Sequence, residues 1–223
     1  MKNIYSILIL PTLFFGNVNI VNEKFSVSKP VKSWLELKNE NMIKQEYDYS
    51  CGSATLATIL KYYYDLEIDE KTVLDGVLEL RGLSQEDKKE FENSEMSLSF
   101  YDLANYANSL NFKAVGLSLD MDSLKKLQVP VILFVKIRKD EHFTIYKSMD
   151  ENFVYLADPT FGNIKISIAK FEEMFYQRED LTHPGKILAI IPKSDDVKVN
   201  KNFTEIKIYT NSIYDRIRNN ITK

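Results

Sequence analysis

From Ser50 to Leu60 the chain runs Ser-Cys-Gly-Ser-Ala-Thr-Leu-Ala-Thr-Ile-Leu without a charge, and its small residues Ala54, Ala57 and Thr58 recur at helical spacing. This predicts a helix buried on most of its sides, because a surface helix carries a polar stripe. Such a helix needs a substantial core around it. With 223 residues, 44% of them hydrophobic, the chain is long enough for one well-packed domain and marginal for two. Seven glycines, six prolines and a mixed 27% of charged residues exclude a linker-like, collagen-like or disordered polymer.

The first half reads as helical. Val73, Leu74, Val77 and Leu78 give an amphipathic pattern over 66–80, and Leu103, Tyr106, Ala107 and Leu110 give another over 98–110, with a charged connector over 84–95. Ahead of the buried helix, the polar stretch 22–44 with Lys29-Pro30-Val31 reads as an extended entry segment leading to Trp34. The second half changes period. Strands are predicted over 115–119, 129–137, 143–147, 153–157, 164–168 and 187–191, with a short helix over 123–127 and Pro130 opening the second strand. Helices followed by a mostly antiparallel sheet make an α+β fold.

At the amino terminus Met1-Lys2 precedes the apolar run Ile4–Phe15, which is shorter than the roughly 18 residues of a spanning helix and is followed by Asn17 and Asn19. The run is shaped like a signal peptide, although Gly16 is preceded two residues earlier by Phe14 where a small residue is usual. The expected organisation is a signal peptide over 1–21, a domain over 22–194 and a polar extension over 195–223, in an exported protein of the periplasm or cell envelope. The alternatives are a buried element of a cytoplasmic domain and an uncleaved anchor.

Composition removes several functions. Twenty-nine Lys and Arg stand against 32 Asp and Glu, a net charge of -3, so there is no basic footprint for nucleic acid. One cysteine excludes a disulfide framework and every multi-cysteine metal site, and His142 and His183 leave little for zinc. GxGxxG, HExxH and GxSxG are absent, and the pair Gly185-Lys186 lacks a phosphate loop because Asp180 stands where glycine is required. No cofactor and no nucleotide is expected, and any chemistry is metal-free or carboxylate-based.

The one thiol, Cys51, sits at the start of the buried helix, where unsatisfied N–H groups favour thiolate over thiol. Gly52 beside it admits a close approach of another chain segment. Taken singly a free cysteine is usually a small buried hydrophobe. Its partners change the balance. His142 opens one apolar strand and Asp158 ends the next, joined by the turn Asp150-Glu151-Asn152. Because side chains alternate and 158 − 142 = 16 is even, an odd-length loop puts both on one face, where a carboxylate orients an imidazole.

These residues resemble the papain-like cysteine peptidases that remove double-glycine leaders from bacteriocins and related peptides. The resemblance spans 42–191 and is carried by Gln45-Glu46-Tyr47-Asp48-Tyr49-Ser50-Cys51-Gly52-Ser53-Ala54, by His142-Phe143, and by Ala157-Asp158-Pro159 with Gly162 following. It implies a papain-like fold with Cys51 as nucleophile, His142 as base, Asp158 as its orienter and Gln45 as side-chain donor of the oxyanion hole. The implied partner is a peptide or protein substrate, with an export system or envelope component as a further partner. The chain is expected to be a stand-alone member, without the transporter and its ATP use. A peptide-binding module that does not cleave, and an acyl transferase on the same fold, are the alternatives.

Overall fold

The computed structural model describes residues 17–22, 25–47, 50–83 and 98–205, which fall in two compact units, Met1–Lys38 and Asn39–Lys223. In the first unit, β1 (Asn17–Asn22) and β2 (Phe25–Pro30) pair antiparallel, and a short helix α1 (Trp34–Lys38) follows. Ser33 and Glu36 hold the start of α1 reciprocally: the Ser33 N–H donates to the Glu36 carboxylate at 2.6 Å and the Glu36 N–H to the Ser33 hydroxyl at 3.2 Å. The stretch read as an extended entry thus holds a strand and a helical turn, since Asn17, Asn19 and Val18, Ile20 alternate with the period of a strand that 25–30 can pair with. The apolar run Ile4–Phe15 lies outside the described residues, and the end of the expected signal, 17–21, falls in β1.

The second unit opens with α2 (Cys51–Thr58), which runs on through a π-helical turn, Ile59–Tyr63, followed by α3 (Glu70–Leu80) and α4 (Phe100–Ser109). Every residue of α2 after Cys51 is buried, as its composition requires. The helix expected over 66–80 starts at Glu70 because Asp69 caps it, accepting from the Thr72 N–H at 2.8 Å. Then come β3 (Phe112–Leu119), α5 (Met121–Lys125), β4 (Val131–Ile137), β5 (Asp140–Met149), β6 (Phe153–Asp158), β7 (Gly162–Ser167), α6 (Ile168–Phe175) and β8 (Gly185–Pro192). The strands form one antiparallel sheet of six in the order β3-β8-β4-β5-β6-β7. Helices packed on an antiparallel sheet make the α+β class that the sequence predicts. Helix α6 was not among the predicted elements, although Phe171, Met174 and Phe175 follow helical spacing and are all buried.

Side-chain alternation gives the sheet a separate core on each face. Ile132, Phe143, Ile145, Leu188 and Ile190 pack with α2, α3 and α4, whereas Val131, Leu133, Tyr146, Ile187 and Ala189 pack with α5 and α6. The stretch from 195, read as a polar extension, contributes to the first core: Phe203, in a 3-10 turn (Lys201–Phe203), is buried with its ring 6.0 Å from that of Tyr63. The charged connector over 84–95 lies outside the described residues. Among the described residues, no helix is long and apolar enough to cross a membrane.

Gly76 shows how closely α3 and α4 approach. A Cβ there would stand 2.1 Å from Tyr106 Cε2, and Tyr106 is buried. Alanine gains about 1 kcal/mol of helix propensity over glycine, but overpacking costs about 1–3 kcal/mol. Gly76→Ala is therefore expected to lower the urea midpoint at unchanged slope, and Gly76→Ala with Tyr106→Leu to recover it. A raised midpoint in the single variant would mean that the helices separate freely.

Candidate functional site

Cys51 is the first residue of α2 and is partly exposed, with no other cysteine in the chain. Gly52 brings β5 onto this end of the helix: a Cβ at 52 would meet Phe143 Cδ2 at 3.2 Å and Leu103 Cδ1 and Leu98 Cβ at 3.4 Å. Phe143 follows His142, so this close packing carries the imidazole to the thiol. The Thr55 hydroxyl donates to the Cys51 carbonyl, tying the first turn of α2 to itself.

His142 Nε2 lies 2.9 Å from Asp158 Oδ2, and the Cys51 side chain acts on the same imidazole, raising its pKa. With Nε2 turned to the carboxylate, Nδ1 is the nitrogen left for the sulfur. The parity that makes this contact arises differently from the sequence expectation. The turn is even, Glu151-Asn152 between Asp150 and Phe153, with the Asp150 N–H donating to the Phe153 carbonyl at 2.9 Å. Alone it would put His142 and Asp158 on opposite faces. The pairing of β5 with β6 shifts by one between Tyr146 and Ser148, however, so that Lys147 is an extra residue and Ile145 stands opposite Ala157. This β-bulge restores the parity. Asp150 holds the turn at the far end of the hairpin, accepting from the Asn152 and Phe153 N–H groups at 2.8 and 2.7 Å and the Tyr155 hydroxyl at 2.6 Å.

Both oxygens of Asp158 are occupied. Oδ1 accepts from the N–H groups of Thr160 at 3.0 Å and Phe161 at 2.9 Å, while Oδ2 takes the imidazole. The turn so formed closes on Gly162, whose φ of +84° suits glycine. Burial opposes charge on both partners, and each overcomes it for the other. For His142, burial disfavours the cation, but the Asp158 carboxylate and the Cys51 sulfur push its pKa up to about 10. For Asp158, burial raises the pKa, and the imidazolium and the backbone donors bring it below its usual range. The half-exposed Phe161 ring stands edge-on to the imidazole, with centroids 6.4 Å apart.

Gln45 reaches the same place. Its N–H donates to the Pro159 carbonyl at 3.0 Å, its amide oxygen accepts from the Thr160 hydroxyl at 3.3 Å, and its amide nitrogen donates to the Tyr47 carbonyl at 2.8 Å. One amide hydrogen is thereby used of the two that the nitrogen carries. The residues between Gln45 and Cys51 are held by one that sequence reasoning missed. Glu70, at the start of α3 and 4% exposed, accepts from the Glu46 N–H at 2.9 Å and meets the Ser50 hydroxyl. Burial pushes its carboxyl pKa up, against the hydrogen bonds from Ser50 and Glu46. Its acidic type at the start of a helix is the usual pattern there, so the sequence carries no signal that sets it apart. Among the described residues no group of three or more His, Cys, Asp or Glu side chains is placed to hold a metal ion. The arrangement is a thiol, an imidazole and a carboxylate in series, beside a fixed amide.

Residues 84–182, which take in His142 and Asp158, match the peptidase C39 family. The chain is 33% identical over 147 residues to the probable functional amyloid protease FapD of Pseudomonas fluorescens, covering 63% of this chain and 59% of the relative. It therefore spans about three fifths of that protein's length. An uncharacterized protein of Methanothermobacter thermautotrophicus is 31% identical over 139 residues, 62% of this chain and 85% of its own. Among solved structures, a double glycine motif protease from an AMS/PCAT transporter, crystallised with the leader peptide, superposes with a TM-score of 0.51 at 22% identity, over 68% of this chain and 90% of that one. A putative C39-like peptidase from Bacillus anthracis also superposes at 0.51, with 18% identity, over 71% and 97%. The α+β fold is thus that of papain-like C39 peptidase domains.

The site makes a prediction about charge. Because the His142 pKa is raised above its ordinary 6.5, its pairing stabilises the fold fully below that value and fades as pH climbs through about 10. Because the Asp158 pKa is lowered, its share is present above the ordinary carboxylate value of 3.8 and fades as pH falls below it. With His183→Gln leaving one imidazole signal, the His142 midpoint read by NMR titration is expected near 10. Asp158→Asn is expected to lower it by about 1–3 on the pH scale. An unmoved midpoint would reassign the charge that holds the proton.

Proposed function

The chain belongs to the peptidase C39 family, and on that footing we propose that it is a cysteine peptidase that cleaves a peptide bond with Cys51, His142, Asp158 and Gln45. The observation that carries the reading is an imidazole bonded to a buried carboxylate, with its pKa raised by that carboxylate and by the one thiol of the chain. The Cys51 sulfur attacks the carbonyl carbon of the scissile bond. The oxyanion takes hydrogen bonds from the Cys51 backbone N–H at the start of α2 and from the Gln45 amide. His142 gives its proton to the leaving amine and then takes one from the water that releases the acyl group from sulfur. Asp158 keeps the ring oriented and its cation stable throughout.

The substrate is an exported peptide or protein, cut after a double-glycine leader. This is supported by the fold shared with the transporter-derived protease that was crystallised with such a leader. The likeness to relatives called probable functional amyloid protease supports an amyloid protein as the substrate. The apolar run Ile4–Phe15 serves as the export signal that brings the enzyme to the envelope, and the catalytic part is the second unit, whose core takes in Phe203.

Short peptides carrying a double-glycine leader, incubated with the protein and read by mass, are expected to yield two fragments with no added amine; amine-dependent products would favour acyl transfer. Cys51→Ala is expected to abolish cleavage while the circular dichroism stays that of the wild type, and retained hydrolysis would sink the assignment. Gln45→Ala is expected to lower kcat by about 10²–10³ with KM little changed. Gln45→Glu is expected to fall further, because a carboxylate cannot donate and repels the oxyanion.

A further inference from the structure

We propose that Glu70 is a positioning residue: through Ser50 and the Tyr47 carbonyl it fixes both the Gln45 amide and the end of α2 that presents Cys51. The inference rests on the reading of Cys51 and Gln45 as reacting groups. Glu70 is not needed to start its own helix, since Asp69 already caps α3 through the Thr72 N–H. Nor is it a surface charge, being 4% exposed. Its side chain is spent wholly on the segment between Gln45 and Cys51, where it meets the Glu46 N–H and the Ser50 hydroxyl.

The Ser50 hydroxyl donates to the Tyr47 carbonyl at 2.6 Å. The same Ser50 hydroxyl also meets Glu70 Oε1, so one side chain bridges the Tyr47 carbonyl and the Glu70 carboxyl. The Tyr47 carbonyl uses its second lone pair for the Gln45 amide nitrogen at 2.8 Å. A continuous relay results, from Glu70 to Ser50 to the Tyr47 carbonyl, on which the Gln45 amide converges. With its oxygen held by Thr160, the Gln45 amide cannot turn, and its remaining N–H has a fixed aim. Ser50, which stands just before α2, makes no cap bond to the helix because its hydroxyl serves this relay.

Glutamine at 70 keeps the relay, since its amide nitrogen donates to Ser50 while its amide oxygen accepts from Glu46, whereas alanine deletes it. Glu70→Ala is expected to lower kcat for a double-glycine peptide about 10²-fold at nearly unchanged KM, and the rate of Cys51 alkylation by iodoacetamide, corrected for folded fraction, about tenfold. Glu70→Gln is expected to bring both within about threefold of wild type. Alkylation requires no peptide turnover, so this arm reads Glu70 even if no peptide is cleaved. Wild-type rates in Glu70→Ala would overturn the proposal, and so would equal losses in the Ala and Gln variants. Should Glu70→Ala fail to fold, Ser50→Ala cuts the same relay one step on. Its kcat is expected to fall about 10²-fold at nearly unchanged KM, and a wild-type kcat would overturn the proposal.

Discussion

Asp158 is a carboxylate withdrawn almost wholly from water, and such a group keeps its charge only when its oxygens have donors. That requirement reaches far into the fold. The two backbone donors come from Thr160 and Phe161 and need the tight turn that ends on Gly162. The third donor is His142, supplied by a neighbouring strand whose register must be right to within one residue. Because removing a partner from a buried ion costs more than the pair itself contributes, the turn, the bulge and the ion pair stand or fall together. The same turn holds Gln45 by its backbone and its amide oxygen, so Asp158 and Gln45 share one support.

The sheet separates the work of its two faces. On one, the buried α2 is enclosed by α3, α4 and Phe203; on the other, α5 and α6 cover Val131, Leu133 and Tyr146. The bulge at Lys147 serves packing as well as the site. Tyr146 and Met149 are three apart, an odd spacing, and without the extra residue they would point to opposite faces. With it, both meet the core against α6.

Much of this was legible in the sequence. The charge-free run at 50–60 announces the buried helix, and the β period locates four of the six strands of the sheet to within a residue or two, with β3 and β5 each starting three residues earlier than expected. Cys51, His142, Asp158 and Gln45, named from the sequence, are brought to one place. What escaped depends on pairing rather than composition. The parity of the hairpin was expected from an odd loop and is met by an even loop plus a bulge, because a bulge is visible only once the partner strand is known. Glu70 resembles any acidic residue at a helix start until its neighbours are seen. Phe203 was hidden in a polar stretch because one aromatic residue sets up no period.

Helix α2 has no outer face. Every residue after Cys51 is covered, and the π-helical turn that extends it buries Tyr63, while the adjoining Tyr64 is buried with its hydroxyl donating to the Ile190 carbonyl of β8 at 2.6 Å. A helix enclosed on all sides has no local opening available to it. Its amide hydrogens are expected to exchange with solvent only when the whole unit unfolds, which sets the segment that presents the thiol in the slowest-exchanging part of the protein. Motion that admits a substrate has to come from the other wall of the site, where Thr160 and Phe161 lie at the surface on a turn.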